Sequence, residues 1–244
     1  MRALSASELL DVWEYGASQP PVQRALELLE AACPEISRDA LAALSIGERD
    51  AWMFMLREEL WGREMTAFAP CPGCREKLEF ALDTREILAS FRERPPNELA
   101  FSIAGYELTF RLPTSLEMIA ASRRSGIEEC RALILERCLL SAHHGDTPVD
   151  ADELPEEVTL GVAQCMAEAD PLADIQFRLT CPCCEYEWRA PFDIVSFLWT
   201  EIEVWARRML ADVHALAAAY GWSEREILSL TPVRRQSYLE MVGA

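Results

Sequence analysis

Two cysteine pairs carry the spacing of metal chemistry. Cys71-Pro72-Gly73-Cys74 and Cys181-Pro182-Cys183-Cys184 are both C-x-x-C turns, and 106 residues (75–180) lie between them. Each turn offers two thiolates on one side, and two such turns give Zn²⁺ four sulfurs in a tetrahedron, at about 2.3 Å from the metal. The expected ligands are Cys71, Cys74, Cys181 and Cys184, holding one structural zinc per chain. The prolines stiffen the turns, and Gly73 lets the first backbone bend so that nearby N–H groups reach sulfur. Two other chemistries use the same motif. Redox catalysis wants the first cysteine at a helix N-terminus, where the dipole lowers its pKa, whereas both turns here run into strand-like sequence. Disulfides belong to oxidising compartments. Cys183 is the extra thiol. It could replace a neighbouring ligand, bring in a second metal, or point away.

The elements around the turns repeat. A shift of 110 residues lays Cys71 on Cys181, Cys74 on Cys184, Leu78 on Trp188, Leu82 on Phe192 and Asp83 on Asp193. Each turn is thus entered by a strand, followed by an alternating strand, and closed by an aspartate able to cap a helix, as in the two halves of a zinc ribbon. Ordinary ribbons separate their halves by about 15–20 residues. Closing the longer loop here costs about 4 kcal/mol plus a constant. A structural zinc contributes about 10–16 kcal/mol in small peptides, so the insertion is no obstacle. The same shift sets Arg75 against Glu185, Lys77 against Glu187 and Glu79 against Arg189. Packing about a pseudo-two-fold axis would make these contacts alternate in sign.

The flanking sequence is helical. Ser5 with Glu8 forms a capping box, Pro20-Pro21 starts a second helix, and Ser37 caps a third. A fourth follows Gly47, with Trp52, Met55, Leu56 and Leu60 as its apolar positions. After the first ribbon half, a helix capped by Asp83 is expected to end at Pro95-Pro96. A hairpin then turns at Ala104-Gly105. Thr114 with Glu117 opens another helix, Ile127 to Ala142 reads as helix, and HHGDTPVDADELPEE reads as a loop before one more. After the second half, Val195, Leu198, Ile202, Trp205, Met209, Val213, Leu216 and Tyr220 recur at the period of a straight helix roughly 40 Å long. That stripe fits either core packing or a face kept for another protein. Ser223 with Glu226, and Thr231 with Pro232, start two closing helices.

Among 244 residues, 41 are acidic and 23 basic, giving −18. Such a field repels nucleic-acid phosphates and anionic membrane surfaces, which excludes a general nucleic-acid binder, though not a small local basic patch. No secretory or membrane-spanning segment is visible, so folding in the cytoplasm is expected, where nine cysteines read as ligands or core residues. Cys33, Cys130, Cys138 and Cys165 fall on apolar helix faces and are expected to be buried thiols. His143 and His144 read as solvated loop residues and His214 as surface or partly packed. There is no phosphate-cradling glycine loop, G-x-S-x-G or H-E-x-x-H, and four thiolates leave a zinc no open position. No enzyme is expected.

The stretches DVWEYGASQPPVQRALELL, ADPLADI, WRAPFDIVSFLW, HALAAAYGWSEREILSL and RRQSYLEMV, with the two cysteine turns, give the chain a family look. It resembles the small baseplate-associated proteins encoded with contractile phage tails and phage-tail-like injection systems, related to the T-even-type baseplate hub assembly family. Cys183 departs from the simple pattern. The resemblance implies a chaperone for, or component of, the baseplate, with baseplate, tube or spike proteins as partners and possible retention in a released particle. A zinc-ribbon adaptor in another complex, for instance in transcription, is the alternative, although a ribbon on DNA would cluster cations beside its turns. The expected fold is mainly α with a small β zinc-ribbon-like element. Its divisions are 1–64 (N-terminal helices), 65–83 plus 173–193 (split ribbon), 84–172 (inserted hairpin and helices) and 194–244 (long helix and two short ones). Tyr220, Trp222 and Tyr238 are candidate contacts if exposed.

Overall fold

The computed structural model describes residues 1–89 and 95–243. The first helices are α1 (Ala6–Gly16), α2 (Pro21–Ala32), α3 (Arg38–Ala42) and α4 (Ile46–Trp61). Strands β1 (Glu64–Pro70) and β2 (Lys77–Asp83) follow, then α5 (Thr84–Leu88), β3 (Leu99–Ile103), β4 (Tyr106–Phe110), α6 (Ser115–Ala121) and α7 (Ile127–Cys138). Next come β5 (Leu139–His144), β6 (Thr147–Pro148), α8 (Glu156–Ala169), β7 (Ile175–Thr180) and β8 (Glu187–Phe192). The chain closes with α9 (Ile194–Tyr220), α10 (Glu224–Leu228) and α11 (Pro232–Val242). Helix outweighs strand, and the class is α+β. The expected run of α5 towards Pro95 crosses 90–94, outside the described residues.

Two compact units emerge, Met1–Glu35 with Val195–Ala244, and Ile36–Ile194. In the first, the stripe of α9 is core: Leu198, Ile202 and Leu216 are fully buried, and Val195, Met209 and Val213 nearly so. Ala206 and Met209 meet Leu10 of α1, with Trp13 and Trp205 around them. Leu216 meets Ile227 and Leu239 of the closing helices. Trp222 and Tyr238 pack there too, their rings 4.9 Å apart, while Tyr220 stacks on Trp222 at 4.6 Å and stays 39% exposed. The Ser5–Glu8 capping box forms as its residue types require.

In the second unit, β1–β2 and β7–β8 are separate antiparallel hairpins, and β3-β4-β5-β6 form one sheet. The hairpins meet through rings: Phe80 lies edge-on to Phe177 at 5.8 Å, Phe177 to Phe192 at 5.5 Å, and Phe192 stacks on Phe54 of α4 at 6.1 Å. None of the alternating ion pairs forms between Arg75, Lys77 or Glu79 and Glu185, Glu187 or Arg189. Arg178 instead faces Arg189 across its own hairpin, and Lys77 Nζ sits 4.1 Å above the Phe68 ring. Away from the cysteine turns, contacts among these half-buried rings, not ion pairs, join the hairpins.

Two further expectations change. Residues 139–142 are strand and not helix, because β5 pairs along β4 from Tyr106↔His144 to Phe110↔Leu139. On α4 the buried positions are Ala51, Met53, Phe54 and Leu56, whereas Met55 is exposed. Arg49, Asp50 and Arg57 are buried as well, Arg49 paired with Asp50 at 2.7 Å and Arg57 donating to the Glu64 carbonyl at 2.7 Å. Charged residues are tolerated there because they are partnered.

Candidate metal centre

Each cysteine turn is closed by the same pair of backbone hydrogen bonds. The Arg75 N–H donates to the Cys71 carbonyl at 2.8 Å and the Cys71 N–H to the Glu76 carbonyl at 2.8 Å. In the second turn Glu185 donates to Cys181 and Cys181 to Tyr186, both at 2.9 Å. This closure needs a left-handed residue one step past the second cysteine, and Arg75 (φ 66°) and Glu185 (φ 57°) supply it. A non-glycine residue there costs about 1–3 kcal/mol, strain that persists where the surroundings fix it. The repeat of 110 residues therefore holds down to individual dihedrals and hydrogen bonds. Gly73, by contrast, does not carry a positive φ. Its small size matters for another reason: a Cβ at that position would come 3.3 Å from Tyr186 Cβ and 3.4 Å from Cys184 Sγ.

The hairpins bring all four expected sulfurs together. Ligand atoms of Cys71, Cys74, Cys181 and Cys184 lie within 4.8 Å of one another. Between the turns, Cys71 lies 3.6 Å from Cys184 and Cys74 3.5 Å from Cys181, sulfur to sulfur. Four sulfurs at 2.3 Å from a tetrahedral ion stand about 3.8 Å apart, and a disulfide needs about 2.05 Å, so the spacing fits shared metal coordination and not bonding. Cys71 and Cys181 are buried while Cys74 and Cys184 are exposed. The Gly73 N–H donates to the Cys71 sulfur at 3.3 Å. Although desolvation opposes ionisation of Cys71, donation from the Cys74 and Gly73 backbone brings its thiol down to about 7. At Cys74 the Glu76 N–H favours the thiolate, but Cys181, burial and the other sulfurs outweigh it and push the thiol up to about 12. Without a cation the four sulfurs must share protons, whereas one divalent ion would let all of them ionise. This donor set could hold a metal ion.

Both turns run into strands, β2 from Lys77 and β8 from Glu187, so neither first cysteine gains a helix dipole. Cys183 is exposed and outside the four-sulfur group. Cys33 and Cys138 are buried as expected, while Cys130 and Cys165 are only half-buried. His143 and His144 stand on β5 and not in a loop, with His144 stacked on Tyr106 at 4.3 Å, and His214 is exposed. The closeness of Tyr186 to Gly73 has one trace in the sequence, the asymmetry of the repeat, glycine at 73 against cysteine at 183.

Among the described residues no helix is long and apolar enough to cross a membrane. Residues 9–199 match the family model for the T4 bacteriophage base plate protein. That span takes in both cysteine turns and ends within α9, leaving HALAAAYGWSEREILSL and RRQSYLEMV beyond it. No curated protein and no solved structure gives a significant match.

Proposed function

The chain belongs to the family of T4 bacteriophage base plate proteins, and on that premise we propose that it is a non-enzymatic assembly factor or structural component of the baseplate of a contractile phage tail or phage-tail-like injection system. The family match over both cysteine turns carries this reading. Its partners are the baseplate, tube or spike proteins of the particle. Within it, Cys71, Cys74, Cys181 and Cys184 hold one structural Zn²⁺, making one split ribbon of 65–83 and 173–193. Tetrathiolate donors with cross-turn spacings of 3.5 and 3.6 Å suit that ion. A closed four-sulfur shell supplies rigidity and no reactive position.

The test is co-purification. The full chain is co-expressed with the sheath, tube, spike and other baseplate proteins from its own gene neighbourhood, and zinc is measured in the purified material. One or more tube, spike or baseplate proteins should be retained through high-salt washing, with one zinc per chain. Retention of none of them, with transcription proteins retained instead, overturns the baseplate reading. Folded material without metal overturns the zinc assignment separately.

A further inference from the structure

A second surface, away from the cysteines, has the build of a docking groove. It lies in the second unit between one face of α7 and one face of α8, with β5 and the chain after β6 as its floor, and encloses about 1220 Å³. The residues turned into it recur at helical spacing on both walls: Ala132 and Leu135 on α7, Leu160 and Ala163 on α8. Beneath them lie the buried Leu154 and Val162. The floor carries an exposed leucine for a structural reason. The β4–β5 register pairs Thr109 with Ser141 and Phe110 with Leu139, so Leu140 is the unpaired residue of a bulge, turned outward. Leu140 and Leu160 are each 49% exposed.

The rim is acidic. Glu128, Glu136, Asp150, Asp152 and Glu156 line the groove against two basic side chains, Arg131 and His143. Arg131 is already engaged by Glu128 at 3.4 Å. An apolar floor inside a carboxylate rim complements a chain that is apolar on one face and basic on the other. The volume exceeds the roughly 300–1,000 Å³ of small-molecule pockets. Nucleic acid and anionic lipid are repelled by the same rim.

We infer that this groove docks a basic amphipathic helix of a protein partner, its apolar stripe on Leu140 and Leu160 and its arginines or lysines against the carboxylates of α7, of the segment before α8 and of the start of α8. The inference goes beyond the baseplate reading and does not depend on the metal.

The experiment uses the full chain and a fluorescein-labelled leucine/arginine peptide of helical amphipathic pattern, with a scrambled isomer of identical composition. Anisotropy titrations should show binding of the patterned peptide that weakens as salt is raised. Leu140→Ser with Leu160→Ser, and separately Asp152→Lys with Glu156→Lys, should each weaken it by about tenfold. All four sites face solvent, and circular dichroism verifies folding of both variants. Hydrogen exchange on the unaltered protein should show peptide-dependent protection confined to α7, β5 and α8. Equal binding of the scrambled peptide, unchanged affinity in both variants, or protection elsewhere overturns the proposal.

Discussion

Gly73 of the first cysteine turn fits against Cys184 of the second, with room for hydrogen at its Cα and little more: an added Cβ would be 3.4 Å from the Cys184 sulfur. The same Cβ would be 3.3 Å from Tyr186 Cβ. Residue 183, its counterpart by the repeat, is an exposed cysteine and carries no such restriction. Close approach is therefore supplied from one side only.

That asymmetry makes a graded prediction. Gly73→Ala requires a shift of a few tenths of an ångström and should lower stability by about 1 kcal/mol. Gly73→Val should separate the sulfurs enough to lower the metal content of purified protein, measured by plasma mass spectrometry. Cys183→Val, at the matching position, should change neither. Full metal in Gly73→Val would show that the contact does not set the distance between turns.

Metal removal gives the second prediction. A thiol reagent should leave the four clustered cysteines silent in the metal-loaded protein and titrate them once a chelator is added, a gain of four thiols. The melting temperature should fall in the same step, because a bound ion would tie together segments 106 residues apart. Cys183, exposed and outside the cluster, should react from the start. An unchanged thiol count with and without chelator counts against bound metal.

Much of this centre is legible in the sequence because its determinants are local. Cysteine spacing, the alternation after each turn and the closing aspartates are all read within a dozen residues. Asp83 does cap α5, accepting from the Arg85 N–H at 2.9 Å. Features decided by distant partners are not legible. Leu139 to Ala142 continue the apolar pattern of α7, and only pairing with β4 turns them into strand. Arg49, Asp50 and Arg57 look like a solvent face until their partners are known. The charges of the two hairpins alternate in the alignment, yet Phe80, Phe177 and Phe192 decide how the hairpins meet.

Glu117 carries a pH prediction. Burial opposes its charge, but the Arg111 guanidinium at 2.8 Å and the Thr114 hydroxyl and N–H outweigh burial and hold its carboxyl at about 2, against an ordinary 4.5. A depressed folded pKa adds stability that is fully present above the unfolded value and disappears as pH falls through the folded one. The contribution, about 2–3 kcal/mol, should thus be intact at neutral pH and fade between pH 4.5 and 2. Glu117→Gln keeps a side chain suited to the capping box and removes the charge. Urea melts should show the variant weaker at pH 7 and converging on the unaltered protein in acid. A constant gap across that range contradicts the assignment.

The last prediction concerns Gly47, in the first turn of α4, and Asp170, which follows α8. The Gly47 N–H donates to Asp170 Oδ2 at 2.8 Å, across 123 residues of sequence. Asp170 is 2% exposed, and a Cβ on Gly47 would overlap its carboxylate. Gly47→Ala must either expel the carboxylate or move the start of α4, and should cost about 2–4 kcal/mol in a urea melt. Burial raises the Asp170 carboxyl above its usual range, so holding its charge is itself costly. Asp170→Asn keeps an oxygen acceptor for Gly47 and removes that charge, and should therefore lose less stability than Gly47→Ala. The reverse order would mean that the charge, and not the close fit, joins these two segments.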